Sequence, residues 1–250
     1  MNFSMNPLSA LTKALSSNPS EMKALIKLAS VDVLKSLGDG KYTVMLGDKT
    51  LTAQSDKLLS EGAKYWTQLT QIKDTTPKLS NLLKMPPLLQ SLQNIPIEYS
   101  LKDLSTLLHS KKPEAMMKQN ILEHLGTAAN KEDFTNLSTL LFSLENHTFT
   151  IPLTYNNFYS LLQFKKRYNY KSKKTQIDFY AALELLGPVS GVIALDGGNV
   201  SVDLNVAYEK TKNFLENDMK NFSHPLHIAL CENIEPLYNT NIHSLLDISI

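Results

Sequence analysis

The residues best suited to metal or nucleophilic chemistry are six histidines and one cysteine: His109, His124, His147, His224, His227, His243 and Cys231. His224, His227 and Cys231 lie close enough in sequence to suggest zinc, which takes imidazole and thiolate ligands in sets of four. But Pro225 follows His224, His227 falls on a predicted strand, and no second cluster supplies the missing ligands. No metal site is expected. Cys231 ends an apolar strand with neither a glycine-rich elbow before it nor a helix start after it, so it reads as a structural thiol. A G-x-S-x-G elbow is absent. The glycine turns at Gly38-Asp39-Gly40 and Gly197-Gly198 lack the Lys-Ser/Thr pair that completes a phosphate loop. Nothing sets one pair of carboxylates apart from the others. The expectation is a chain that is no enzyme and carries no cofactor.

A basic run is more distinctive. Lys165, Lys166, Arg167, Lys171, Lys173 and Lys174 fall within ten residues, with Tyr168 and Tyr170 among them. Cations interleaved with aromatics can hold single-stranded nucleic acid by charge and stacking. That gives an alternative reading, a single-stranded nucleic-acid-binding protein using a small barrel and the loop 165–174. A solvated lysine loop between two strands is the plainer one, and no nucleic-acid partner is expected. The chain has 25 basic and 24 acidic residues, a net charge of +1, which gives no general attraction to polyanions. Arg167 is its sole arginine, so arginine clamps for phosphate are nearly absent. Residues 208–247 carry more acid than base, with Glu209, Glu216, Asp218, Glu232, Glu235 and Asp247 against Lys210, Lys212 and Lys220. Such polarity suits a protein partner.

The elements that must position these groups follow from periodicity. With 250 residues, 42% of them hydrophobic, the chain can bury a sizeable core. Asn18, Pro19 and Glu21 carry helix-start chemistry, giving an N-terminal helical segment over 1–30. Alternating apolar residues and tight turns over 31–73 predict a small antiparallel β-barrel, with Gly38-Asp39-Gly40, Gly47-Asp48 and Gly62 as corners. Trp66, the only tryptophan, is expected in its core beside Tyr42 and Val44. Residues 74–146 read as a helical spacer, its first part broken up by Pro77, Pro86, Pro87 and Pro96. Ser100, Pro113 and Asn130 then open amphipathic helices. Strands return over 147–250, with a hairpin around Asp196-Gly197-Gly198-Asn199, a helix over 208–222 and a last strand over 226–230. The fold class is α+β, with an N-terminal antiparallel barrel, a helical middle and a C-terminal antiparallel sheet with a packed helix. No apolar run approaches the roughly 20 residues of a spanning helix, and no secretory signal opens the chain. A soluble cytoplasmic protein is expected.

The run Leu183-Glu184-Leu185-Leu186-Gly187-Pro188-Val189, then Val192-Ile193-Ala194-Leu195, the Gly197-Gly198 turn and Val200-Ser201-Val202-Asp203-Leu204, resembles the C-terminal domain of flagellar hook-length control proteins. In that family a strand ends in Leu-Gly-x-Val, a hairpin follows, and a helix packs on the sheet. Leu186, Gly187 and Val189 match this motif, while Leu183 stands where the family often has proline. Ile151-Pro152-Leu153 resembles the start of the domain, and the likeness covers about residues 147–232. Residues 41–53 and 59–66, with Gly62 and Tyr65-Trp66, are similar to a small barrel that precedes this domain in some hook-length-control-like proteins.

The resemblance implies a non-enzymatic accessory factor of flagellar type III export. Such a factor binds the cytoplasmic domain of the export-gate switch protein and influences substrate specificity or hook assembly. The implied partner-binding residues are Leu186, Gly187, Pro188 and Val189. The family's long ruler region is replaced by a short segment that reads as folded, so length measurement is not implied.

Overall fold

A computed structural model of the chain describes residues 28–70, 78–155, 158–169, 174–196 and 198–239. Residues 1–27 of the helical segment expected over 1–30 lie outside the described residues, as do Lys171, Lys173, Gly197, His243 and Asp247, while residues 28–30 are corrected from helix to the start of a strand.

The N-terminal sheet runs through β1 (Leu28–Gly38), β2 (Lys41–Leu46), β3 (Lys49–Gln54), β4 (Lys64–Thr70) and β5 (Lys78–Lys84). Glycines at φ of 86° and 69°, Gly38 and Gly40, make the first corner, where residues with a Cβ are strained. The strand order is β1-β2-β3-β5-β4. β1 pairs antiparallel with both β2 and β4, which curls the sheet tightly. The antiparallel barrel expected over 31–73 is corrected here on two counts. β5 falls within the stretch expected as a helical spacer, and it extends the sheet to residue 84. The end strands β3 and β5 meet at a single pair, Gln54 with Lys78, and that pair is parallel. A continuous antiparallel ladder therefore does not seal the sheet. β5 escaped detection because its apolar residues, Leu79, Leu82 and Leu83, do not alternate. Asn81, at φ 50°, breaks its period, and β4 and β5 slip register between Trp66 and Gln68.

Four helices follow. α1 (Pro87–Gln90) is a single turn opened by proline, and α2 (Leu101–His109), α3 (Pro113–Leu125) and α4 (Lys131–Glu145) are longer. Their starts are as read. The Ser100 hydroxyl accepts from the Asp103 N–H, and the Asp103 carboxylate accepts from the Ser100 N–H, which satisfies two orphan donors. The Asn130 side chain likewise accepts from the Asp133 N–H at 2.8 Å. The apolar faces of these helices supply Leu104, Leu107, Met117, Ile121, Leu137, Leu140 and Leu144 to one core.

The second sheet holds β6 (Phe149–Tyr155), β7 (Phe158–Asn169), β8 (Lys174–Leu183), β9 (Gly187–Asp196), β10 (Asn199–Val206) and β11 (Leu226–Leu230), with α5 (Glu209–Asn217) between the last two strands. β6 to β10 form an antiparallel meander, and β11 lies parallel to β10. The sheet expected to be antiparallel is therefore mixed. A helix between β10 and β11 carries the chain back to the starting end of β10, so the next strand must run parallel. Among the described residues no helix is long and apolar enough to cross a membrane.

One core joins the two sheets. Trp66 packs with the cluster of the second sheet and the helices, while Tyr42 and Val44 belong to a separate small cluster inside the first sheet. The placement of Trp66 beside Tyr42 and Val44 is thus corrected. Trp66 faces outward from its own sheet, and its indole Nε1–H donates to the Leu183 carbonyl at 3.1 Å.

Candidate functional site

Leu186 ends the turn that joins β8 to β9, Gly187, Pro188 and Val189 open β9, and all four residues are buried. Gly187 has φ 80°, the left-handed region that favours glycine. A Cβ there would stand 2.6 Å from Cε2 of Tyr208, so the tyrosine ring lies flush against the glycine. The same ring sends its hydroxyl to the Asn81 carbonyl of β5, at 2.9 Å. Thr211 of α5 donates to the Leu186 carbonyl at 2.7 Å. Leu28 of β1 and Phe214 of α5 pack against Leu186. The N-terminal sheet and α5 thus close over the turn from two sides. Pro188 stands one residue beyond the last pair between β9 and β10, which joins Val189 to Val206. Its missing N–H is tolerated at the start of a strand.

Buried tyrosines mark this centre as structural. Desolvation pushes the phenol of Tyr208 well above the ordinary tyrosine range, which keeps it a neutral donor to the Asn81 carbonyl, and burial raises the Tyr180 phenol in the same direction. Among the described residues no group of three or more His, Cys, Asp or Glu side chains is arranged to hold a metal ion. Nδ1 of His109 lies 2.7 Å from the Ser105 carbonyl, and Nδ1 of His124 lies 2.9 Å from the Asn120 carbonyl, each inside its own helix. His227 sits 3.8 Å from Asp203 with both side chains exposed. The Cys231 thiol meets the Asn233 carbonyl at 3.3 Å. Among the described residues each of these groups sits in a local contact of its own.

The basic run splits between strand and loop. Lys165, Lys166, Arg167 and Tyr168 belong to β7. Lys174 begins β8, paired with Asn169. Arg167 forms an ion pair with Asp178, whose side chain is only 8% exposed. The sole arginine is therefore occupied in holding a buried carboxylate. Arg167→Met should leave that carboxylate with only the Gln176 amide, at 3.4 Å, and stability should fall by about 1–3 kcal/mol. Urea titration of the variant checks this, and the double variant with Asp178→Asn should recover most of the loss.

A groove of about 670 Å³ opens beside this strand. Phe149, Phe164 and Ile177 give it an apolar lining, shared with Lys166, Arg167, Tyr168, Thr175, Glu114 and His147. Sequence reading found the cations and Tyr168. The apolar lining was not legible, because Phe149, Phe164 and Ile177 come from three strands whose register no spacing rule reveals. The contacts of Trp66 with Leu183 and of Tyr208 with Asn81 were equally out of reach, at separations of 117 and 127 residues. No protein-family model, no curated protein and no solved structure matches the chain.

Proposed function

We propose that the chain is a non-enzymatic protein-binding factor that engages the cytoplasmic domain of the flagellar export-gate switch protein. It then acts in the cytoplasm at the export apparatus and influences which substrates pass. Two things support the reading. The run from Leu183 to Leu204 resembles hook-length control proteins, and it occupies a strand, turn and hairpin followed by a helix, the order that resemblance implies. The single observation that carries the protein-binding part is the buried turn at 186–189. A glycine in left-handed conformation, locked under Tyr208, fixes how β8, β9 and α5 present their outer surfaces. In this reading Leu186, Gly187, Pro188 and Val189 support the recognition surface from beneath.

The test is a calorimetric titration of the full-length chain with the purified export-gate cytoplasmic domain. The full chain is needed because Trp66, Leu28 and Asn81 cover the turn from outside the second sheet. The expected result is a saturable complex with heat of binding. A folded chain that gives no complex by calorimetry or by co-sedimentation would refute the flagellar assignment.

A further inference from the structure

The two edges of the second sheet are finished differently. A strand edge carries unpaired N–H and C=O groups, and proteins blunt it with proline, charge, a bulge or a covering segment. The β6 edge is blunted. Pro152 has no N–H to offer there, and the backbone of Tyr99 bridges the strand, donating to the Pro152 carbonyl at 3.1 Å and accepting from the Thr154 N–H at 3.0 Å. α4 reaches the same strand, its Ser143 hydroxyl sharing a hydrogen bond with that of Thr150. β11, at the other end of the sheet, has none of these devices. It reads Leu226-His227-Ile228-Ala229-Leu230, without proline, lysine or carboxylate, and its register to β10 runs unbroken.

Parity fixes which backbone groups of β11 face outward. The Val202 N–H donates to the Pro225 carbonyl, and the Cys231 N–H donates to the Val206 carbonyl, so the odd-numbered residues turn their backbone towards β10. Leu226, Ile228 and Leu230 therefore turn theirs away from the sheet. Among the described residues these outward N–H and C=O groups meet no partner. The three side chains share one face of the strand. Ile228 is buried, which anchors the strand to the core, whereas Leu230 is 47% exposed.

We infer that β11 is a contact between two copies of this chain, paired antiparallel about a twofold axis at Ile228. The strand is self-complementary about that residue. Ile228 falls opposite Ile228 of the second copy and Leu226 opposite its Leu230, and the outward groups of all three meet as hydrogen-bonded pairs. His227 falls opposite Ala229 of the second copy, so no like charges face each other. Just beyond the strand, His224 and Glu232 stand four residues before and four residues after Ile228. The axis carries each of them towards the other in the second copy, which sets imidazole against carboxylate on both sides. A twofold contact requires this reciprocity, and a foreign strand would match it only by chance. The inference stands apart from the flagellar reading, which concerns a different partner.

Sedimentation velocity of the full-length chain, from about 1 to about 200 μM, should show a dimer whose share grows with concentration, as a small contact gives. Leu230→Pro removes an N–H that no described residue uses, and Leu230→Lys puts a charge on the edge. Each should weaken the dimer at least about tenfold. Leu58→Lys, at a leucine that is 96% exposed between β3 and β4, should leave it unchanged. Cysteines read the register separately. In a Cys231→Ser background, His227→Cys together with Ala229→Cys should crosslink two chains under mild oxidation, because those positions face each other as a close, non-hydrogen-bonded pair. Either cysteine alone should not. Circular dichroism confirms that each variant is folded. A chain that stays monomeric over the whole range overturns the inference, and a dimer gained on deleting residues 240–250 would then assign the edge to the chain's own C-terminus. A dimer that both Leu230 variants leave intact, or one that the paired cysteines fail to crosslink, overturns it as well.

Discussion

Trp66→Ala should destabilise the whole molecule by about 3–5 kcal/mol, the usual cost of truncating a fully buried tryptophan. The residue is 1% exposed and sits in the core shared by the helices and the second sheet. Removing it empties a large volume where the sheets meet. It also strips the Leu183 carbonyl of its indole donor, at the end of β8. Had Trp66 pointed into its own sheet, the loss would be confined to β1–β5. Its outward placement predicts that both sheets loosen together. Hydrogen exchange by mass spectrometry distinguishes the cases. Faster exchange should appear in β4 and β5, and also in β8, β9 and α5. Exchange confined to β1–β5 would show that the junction contributes little.

Gly187→Val should cost nearly as much, for two separable reasons. A β-branched residue at φ 80° carries backbone strain of about 1–3 kcal/mol. Its Cβ would also meet the Tyr208 ring at 2.6 Å, an overpacking cost of about 1–3 kcal/mol more. The double variant with Tyr208→Ala should relieve the clash and keep the strain. Gly187→Val should therefore lose less stability in a Tyr208→Ala background than in the parent chain. Thermal unfolding of the parent and the three variants measures both components. Equal losses in the two backgrounds would place Tyr208 away from the glycine. Because this substitution perturbs the fold, any effect on partner binding follows from misplacement of the surface and does not map a contact.

How far the fold was legible depended on whether the signal was local. Capping chemistry at Ser100 and Asn130 located helix starts because a cap and its donor are three residues apart. The β9–β10 hairpin and the alternation in β2 and β3 were readable for the same reason. β5 was not, since its pattern is broken at Asn81 and flanked by prolines that argued for short helices. The parallel placement of β11 was implicit in the helix before it, yet reading strands one by one favoured antiparallel neighbours. At the candidate site, the sequence pointed to Gly187 and its turn but gave no sign that the N-terminal sheet covers them. The lysines of the run were equally visible, while the apolar lining beside them was not. Phe149, Phe164 and Ile177 look like any partly buried strand residues until the register brings them together.

The junction between the sheets also sets an order of events during synthesis. Asn81 is made 127 residues before the Tyr208 hydroxyl that it accepts, and Trp66 117 residues before Leu183. Contacts of such long range form only after a large loop has been closed, which slows them relative to local pairing. A nascent chain on the ribosome can therefore complete the hairpins of β1–β3 early, but its indole lacks its hydrogen-bond partner until β8 has emerged. During that interval the outward face of β4 is exposed to whatever surrounds the translating complex, and a chaperone that recognises nascent apolar surface would find it there. The indole's own fluorescence would shift at the end of synthesis, when the second sheet arrives to cover it.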